Sequence, residues 1–386
     1  MVALCGCGGV FRPIEAWLCV MGDLTAPASA NQVAVWPQAD GERMAQDLEL
    51  GLDTFGDITA GPDGRPLPHA QVIRDVVEEA ILADRVGVDA FGVGEHHRPD
   101  FAISAPDIVL AAIAGRSNRM WLGSAVTVLS SDDPVRVFER FSTLNAACNG
   151  RAEITVGRGS FIESFPLFGY QLADYEKLFE EKLDLFAALI RNQAVTWHGA
   201  TRAPLNNQRV FPPLETGRLR TWVGVGGSPQ SVVRAARYDL PLMLAIIGGD
   251  PKRFLPYVDL YRRAFAELGK PAQAIGVHSH GYVAATDAQA RDELWPDYKR
   301  MRDRIGAESG WPPLQRAEFD READHGSLYV GSPETVARRI AATAKALGLS
   351  RFDMKYSAGT LAHDKIMRCI ELFGTKVMPL ARELIG

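Results

Sequence analysis

The chain has 386 residues, 47% hydrophobic and 23% charged, with a formal net charge of -5. That balance suits a soluble globular enzyme with one large core or two modest ones, and it offers no basic field for nucleic acid or an anionic membrane. No run approaches the ~18 apolar residues of a membrane span, and the five cysteines (Cys5, Cys7, Cys19, Cys148, Cys369) show no paired CxxC spacing, which fits a reducing, cytoplasmic setting.

Residues 1–43 are rich in Gly, Cys and Ala without sustained periodicity, and are expected to be a poorly ordered extension ahead of a domain over 44–386, with Met44 a candidate native start. From residue 48 a regular alternation begins: short apolar or β-branched runs bounded by Gly, Asp or Ser, each followed by a helical pattern. Strands are predicted at 48–55, 88–95, 120–129, 152–157, 220–226, 240–247, 274–284 and 351–356. Tyr175, Leu178, Phe179, Leu183, Phe186, Leu189 and Ile190 form one apolar stripe, and shorter stripes run through 69–86, 105–118, 229–238 and 333–347. Long stretches at 192–218, after the fourth helix, and 307–327, before the last strand, read as lids or added structure. Repeated strand–helix units force a parallel sheet, so the predicted fold is α/β, a closed (β/α)8 TIM barrel with two insertions; an open doubly wound sheet is the alternative.

In such a barrel the chemistry sits where the strands end. In "VGRGSF" (156–161) Arg158 stands between Gly157 and Gly159 and before Ser160. Glycines let a backbone approach a ligand and a guanidinium can clamp a phosphate, although a glycine-rich turn with a surface ion pair fits equally well. In "VGVGGSPQSVVRAA" (223–236) Ser228 is a good N-cap and Pro229 a good first helical residue. Its amides, with Gly227, Ser228 and Ser231, could cradle a single phosphate; the spacing is not that of a dinucleotide fingerprint.

The stretch "VGEHHRPDF" (93–101) has two adjacent histidines, His96 and His97. Neighbours on a strand face opposite sides, so a metal would need outside ligands such as His278 and His280, and no metal is expected. A general acid or base needs only one histidine, oriented by Glu95 or Asp100; a salt-bridged turn involving Arg98 is the plainer alternative. Phe55, Phe101 and Phe161 are candidate pocket walls, and Lys355 could meet a substrate anion or pair near Asp353.

The ordered set "GEHHRPDFAISAP", "LGSAVTVLSSDDPVRVFERFSTL", "GRAEITVGRGSFIESFPLFGY", "LFEEKLDLF" and "WVGVGGSPQSVVRAARYDLPLMLAIIGG" resembles the bacterial-luciferase-like family of flavin-dependent monooxygenases over about residues 46–386. The resemblance implies a barrel that binds reduced FMN, works as a homodimer, and uses dioxygen to oxygenate a small organic substrate. NAD(P)H would supply the electrons directly or through a flavin reductase. It assigns His96 to proton transfer, Arg158 and Ser228 to the FMN phosphate, and a non-proline cis peptide beneath the flavin ring to Ala125–Val126. Gly159, Ser160, Gly227 and Ser231 complete the phosphate side, and the strand-end rule adds Thr54 and Phe55 as cofactor-facing. Luciferase proper has a reactive cysteine where this chain has Gly157, so light emission is not implied. A deazaflavin-dependent dehydrogenase of the same superfamily and a non-catalytic flavin-binding protein are the alternatives.

Overall fold

In the computed structural model, which describes residues 48–386 except Ser160 and Thr216, the strand candidates become the staves of one closed parallel barrel. They are β1 (Glu49–Thr54), β2 (Ala90–Val93), β3 (Trp121–Val128), β4 (Ala152–Gly157), β7 (Arg220–Val225), β8 (Leu242–Ala245), β9 (Ile275–Val283) and β11 (Arg351–Lys355). Each pairs in parallel with the next, and the β9–β11 and β11–β1 pairings complete the ring. The predicted extension and Met44 lie outside the described residues.

The staves are covered by α1 (His69–Arg85), α2 (Pro106–Ala114), α3 (Pro134–Ala147), α4 (Tyr175–Leu189), α5 (Pro229–Arg237), α6 (Leu255–Glu267), α9 (Pro333–Leu347), α10 (His363–Leu372) and α11 (Met378–Ile385). Several helix starts follow directly from local chemistry. Asp133 caps α3 by accepting from the amides of Val135 and Arg136 at 2.8 and 3.3 Å, and Pro134 sits where a missing amide costs nothing. Leu50, Leu52, Val72, Val76, Phe91 and Leu122 belong to the continuous apolar core.

The inside of the barrel is polar at its lower end. Arg351 Nε donates to both oxygens of Asp353 (2.8 and 3.0 Å) and Nη1 to Glu153 (2.5 Å), while Arg220 pairs with Glu49 and reaches Glu153 at 3.3 Å. Buried charges persist because they are paired. Burial opposes the charge on Glu153, yet the two guanidiniums hold its carboxyl below the usual range. Glycine staves make the room: a Cβ on Gly123 would lie 2.7 Å from Glu153 Cγ.

Both insertions carry their own elements. The first contains an antiparallel pair, β5 (Val195–Trp197) and β6 (Leu205–Gln208). The second begins earlier than the sequence suggested, with α7 (Asp287–Ser309), then α8 (Arg316–His325) and β10 (Tyr329–Gly331). Strand β10 pairs with the upper end of β9, Tyr329 opposite Gly281. Strand β9 therefore outruns the barrel, and Tyr282 is buried with its hydroxyl on Glu293 Oε2 at 2.6 Å.

Candidate functional site

His96 follows β2 and is packed among three phenylalanines, with ring centroids 4.5 Å from Phe55, 4.4 Å from Phe101 and 5.3 Å from Phe161. Its Nε2 is buried without a hydrogen-bond partner. Burial is the main reason its pKa falls to about 3; Lys355, His97 and Arg98 push the same way and Asp57 opposes them. The imidazole is therefore neutral at physiological pH, able to accept or relay a proton.

Neither carboxylate proposed to orient His96 does so. Glu95 accepts from His97 Nε2 at 3.0 Å and from the Val128 amide at 2.8 Å, tying the β2 end to β3. Asp100 pairs instead with Arg98 (3.3 Å) and with Arg304. Arg98 is the centre of a cluster: it also bonds Glu163 and holds Glu308 by two hydrogen bonds of 2.7 and 2.9 Å, and its guanidinium lies 4.4 Å over the Phe161 ring. The β2 loop, the β4 loop and α7 are thereby joined beside His96.

Across the mouth, Asp57 Oδ2 accepts from Lys355 Nζ at 2.8 Å and from the Ser357 hydroxyl at 2.6 Å. Lys355 thus pairs with Asp57 and not near Asp353. Burial opposes the charge on Asp57, but Lys355, Ser357 and the Gly359 amide hold its pKa below the usual carboxylate range. Thr54 Oγ1 lies 2.8 Å from Ser357 Oγ and accepts from the Gly56 amide at 3.0 Å, so that hydroxyl braces the strand end. His278 donates Nδ1 to Asp53 Oδ2 at 2.7 Å. Among the described residues no group of three or more His, Cys, Asp or Glu side chains assembles to hold a metal.

The Ala125–Val126 peptide is cis, where the resemblance put it. Val126 turns its side chain into a slot between two glycines: a Cβ on Gly157 would stand 2.8 Å from Val126 Cγ2, and one on Gly224 3.2 Å from Cγ1. Gly157 thus leaves room that the Val126 side chain fills.

Arg158 follows β4, and Ser228 opens α5 after the neighbouring strand β7. Ser228 accepts from the Ser231 amide at 3.4 Å, and Gly227 holds φ at 115°, a conformation that favours glycine. Arg158 bonds Glu176 and lies 5.0 Å over the Tyr175 ring. Arg234, which sequence reasoning missed, meets the same Glu176 at 3.4 Å and reaches Ser231 Oγ at 3.4 Å. Its signal was present, since it lies one helical turn beyond Ser231, but it read as an ordinary polar position. Gly159 is also at positive φ (77°), and Ser160 is outside the described residues. Two guanidiniums, a capped helix start and an open approach at Gly226, where a Cβ would meet nothing within 4 Å, fit the phosphate of a mononucleotide; the aromatic pocket and platform fit a planar ring.

A closed (β/α)8 barrel with a buried histidine at its mouth and paired arginines beside a helix start defines a barrel oxidoreductase of the flavin-dependent monooxygenase type. Residues 54–351 match the family described as luciferase-like monooxygenase, and the chain belongs to that family. It is 27% identical to the 4-hydroxyprotoasukamycin monooxygenase of Streptomyces nodosus subsp. asukaensis over 73% of this chain and 79% of that protein. Its fold matches monooxygenase RslO1 from Streptomyces bottropensis with a TM-score of 0.76 at 21% identity, covering 86% of this chain and 99% of that one. It also matches the oxygenating constituent of 3,6-diketocamphane monooxygenase from Pseudomonas putida, solved with FMN, with a TM-score of 0.69 at 20% identity, covering 86% and 98%. No helix among the described residues is long and apolar enough to cross a membrane.

Proposed function

We propose that this protein binds reduced FMN and oxygenates a small organic substrate with dioxygen, as a cytoplasmic homodimer supplied with electrons by NAD(P)H directly or through a flavin reductase. The observation that carries the reading is the unpartnered Nε2 of His96, enclosed by three aromatic rings at the barrel mouth. When bound, the reduced flavin supplies the two electrons that activate dioxygen. Arg158, Arg234, Ser228 and Ser231 hold its phosphate; Ala125 and Val126 form the platform for its ring. Phe55, Phe101 and Phe161 keep water from the reacting atoms, and His96 moves a proton there, an effect typically worth about 10²–10⁴ in rate.

The test is an absorbance titration of the purified protein with FMN, followed by photoreduction and exposure to air. Saturable binding with reoxidation at a rate differing from that of free flavin is expected. A protein that leaves the spectrum and reoxidation of FMN unchanged would defeat the proposal.

A further inference from the structure

The mouth holds a second imidazole that the reading above does not use. His278 is on β9, three strands round the barrel from β2, and its Nδ1–H donates to Asp53 Oδ2 at 2.7 Å. Asp53 is almost fully buried on β1. The His278 ring lies parallel to Phe55, at 5.8 Å and 13°, and Phe55 meets His96 edge-on at 4.5 Å and 61°. One aromatic ring therefore touches both histidines, each of which comes from a different wall. The charged and titratable groups facing His278 are Asp53 on β1, Asp353 and Lys355 on β11, and His280 on its own strand.

These surroundings sort the mouth's histidines. Burial works against a charge on all three. For His278 the Asp53 carboxylate, by charge and hydrogen bond and with help from Asp353, overcomes burial and raises the pKa. His280 has no such partner; burial, with Lys355 and His278 beside it, takes it well below the ordinary value, and its Nδ1 is buried without a hydrogen bond. His96 is lowered likewise. Environments that push two titratable groups apart are how one site comes to hold an acid and a base together.

We propose that the Asp53–His278 pair is the acid of this site, the carboxylate fixing the ring through Nδ1 so that Nε2–H gives a proton to an oxygen atom of the reduced dioxygen, while His96 serves as the base. The inference rests on the flavin-dependent function proposed above. In turnover, reduced FMN, dioxygen and substrate give oxidised FMN, oxygenated substrate and water: two electrons come from the flavin, one oxygen atom enters the substrate, and the other takes up two protons. Without substrate, reduced FMN and dioxygen give oxidised FMN and hydrogen peroxide, which also needs two protons. In either case His278 supplies one proton and recovers it from solvent, which receives the protons that the flavin releases.

The experiment uses the full chain, with reduced FMN and dioxygen as probes, and compares wild type with Asp53→Asn and His278→Gln. Imidazole proton NMR of the flavin-free protein gives the His278 titration midpoint, a fluorescence titration gives the FMN dissociation constant, and stopped-flow reoxidation gives the pH profile. In wild type the rate should fall as pH rises through the midpoint read by NMR, because the protonated form is the active one. Asp53→Asn should lower both midpoints together, and His278→Gln should abolish that limb and slow reoxidation about 100-fold, with FMN affinity changed less than about twofold in both. A wild-type rate and profile in His278→Gln, or a kinetic limb that stays in place while the NMR midpoint moves in Asp53→Asn, overturns the assignment. If His278→Gln does not fold, Asp53→Asn decides alone, since it keeps the imidazole. Wild type that binds no FMN would instead overturn the underlying function, and this inference with it.

Discussion

Replacing Gly157 by alanine tests whether the platform is built around the Val126 side chain. The added Cβ would stand 2.8 Å from Val126 Cγ2, 3.2 Å from its Cβ and 3.3 Å from Cγ1. Carbon pairs pack best at roughly 3.5–4.0 Å, so the closest pair falls short by about 0.7 Å. Val126 cannot easily turn away, because a β-branched side chain is stiff at χ1. The backbone must then move, and overpacking of this kind costs about 1–3 kcal/mol. Gly224→Ala, with its looser contact, should cost less, under about 1 kcal/mol. Urea denaturation of both variants, of Val126→Ala and of the Gly157→Ala/Val126→Ala double variant supplies the numbers. The double variant should recover about 1 kcal/mol relative to additivity, since the colliding methyls are gone. The FMN dissociation constant should rise in Gly157→Ala and less so in Gly224→Ala. Stability of Gly157→Ala within about 0.5 kcal/mol of wild type, or strict additivity in the double variant, would refute the slot.

Three further outcomes follow from the site. His96, with a folded pKa near 3 against 6.5 in the unfolded chain, binds fewer protons when folded, so its stabilising effect is complete above pH 6.5 and is lost as pH falls toward 3. At pH 4 the loss should reach about 3 kcal/mol, and His96→Ala should flatten the stability-versus-pH curve in that window while lowering turnover; parallel curves for the two proteins would contradict the burial argument. Arg158→Ala should weaken FMN binding about tenfold or more, whereas Glu176→Gln, which removes a carboxylate lying on both arginines, should tighten it about two- to fivefold; titration calorimetry showing both constants move the same way would exclude competition for the cradle. Arg98→Met should leave Asp100, Glu163 and Glu308 without their shared cation and destabilise the fold by about 2–3 kcal/mol, with faster amide exchange in α7 than elsewhere; uniform exchange would detach α7 from that cluster.

What could be read in the sequence depended on whether a residue's neighbours are local. The eight staves were legible because β-branched runs that are buried on both faces look the same in any context, and the cap Ser228 acts within one helical turn. Helix α7 was not: it carries Pro296 inside and buries only Ala290, Leu294 and Gly306, so no apolar stripe announces it. Strand β10 is three residues long and exists only because β9 overshoots the barrel to meet it.

The same division runs through the site. His96, Arg158 and Ser228 stand at strand ends that the alternation itself locates, so the pattern of the chain is enough to find them. Their partners do not show in that pattern, because each is brought in from far along the chain: Glu308 to Arg98 across 210 residues, Lys355 to Asp57 across 298, and His278 to Asp53 across 225. The error over Glu95 has this cause. Adjacency in the chain made it look like the natural support for His96, but its carboxylate holds His97, two residues on, while His96 lies among the phenylalanines. Local pattern thus locates the candidate groups, while the closed barrel decides which way their pKa values move: Asp53 arrives beside His278 only when β11 joins β1 to β9. The acid and the base proposed for the mouth are therefore a property of closure, and a variant that loosens the β1–β11 seam should erase the difference between His278 and His96 before it erases the barrel.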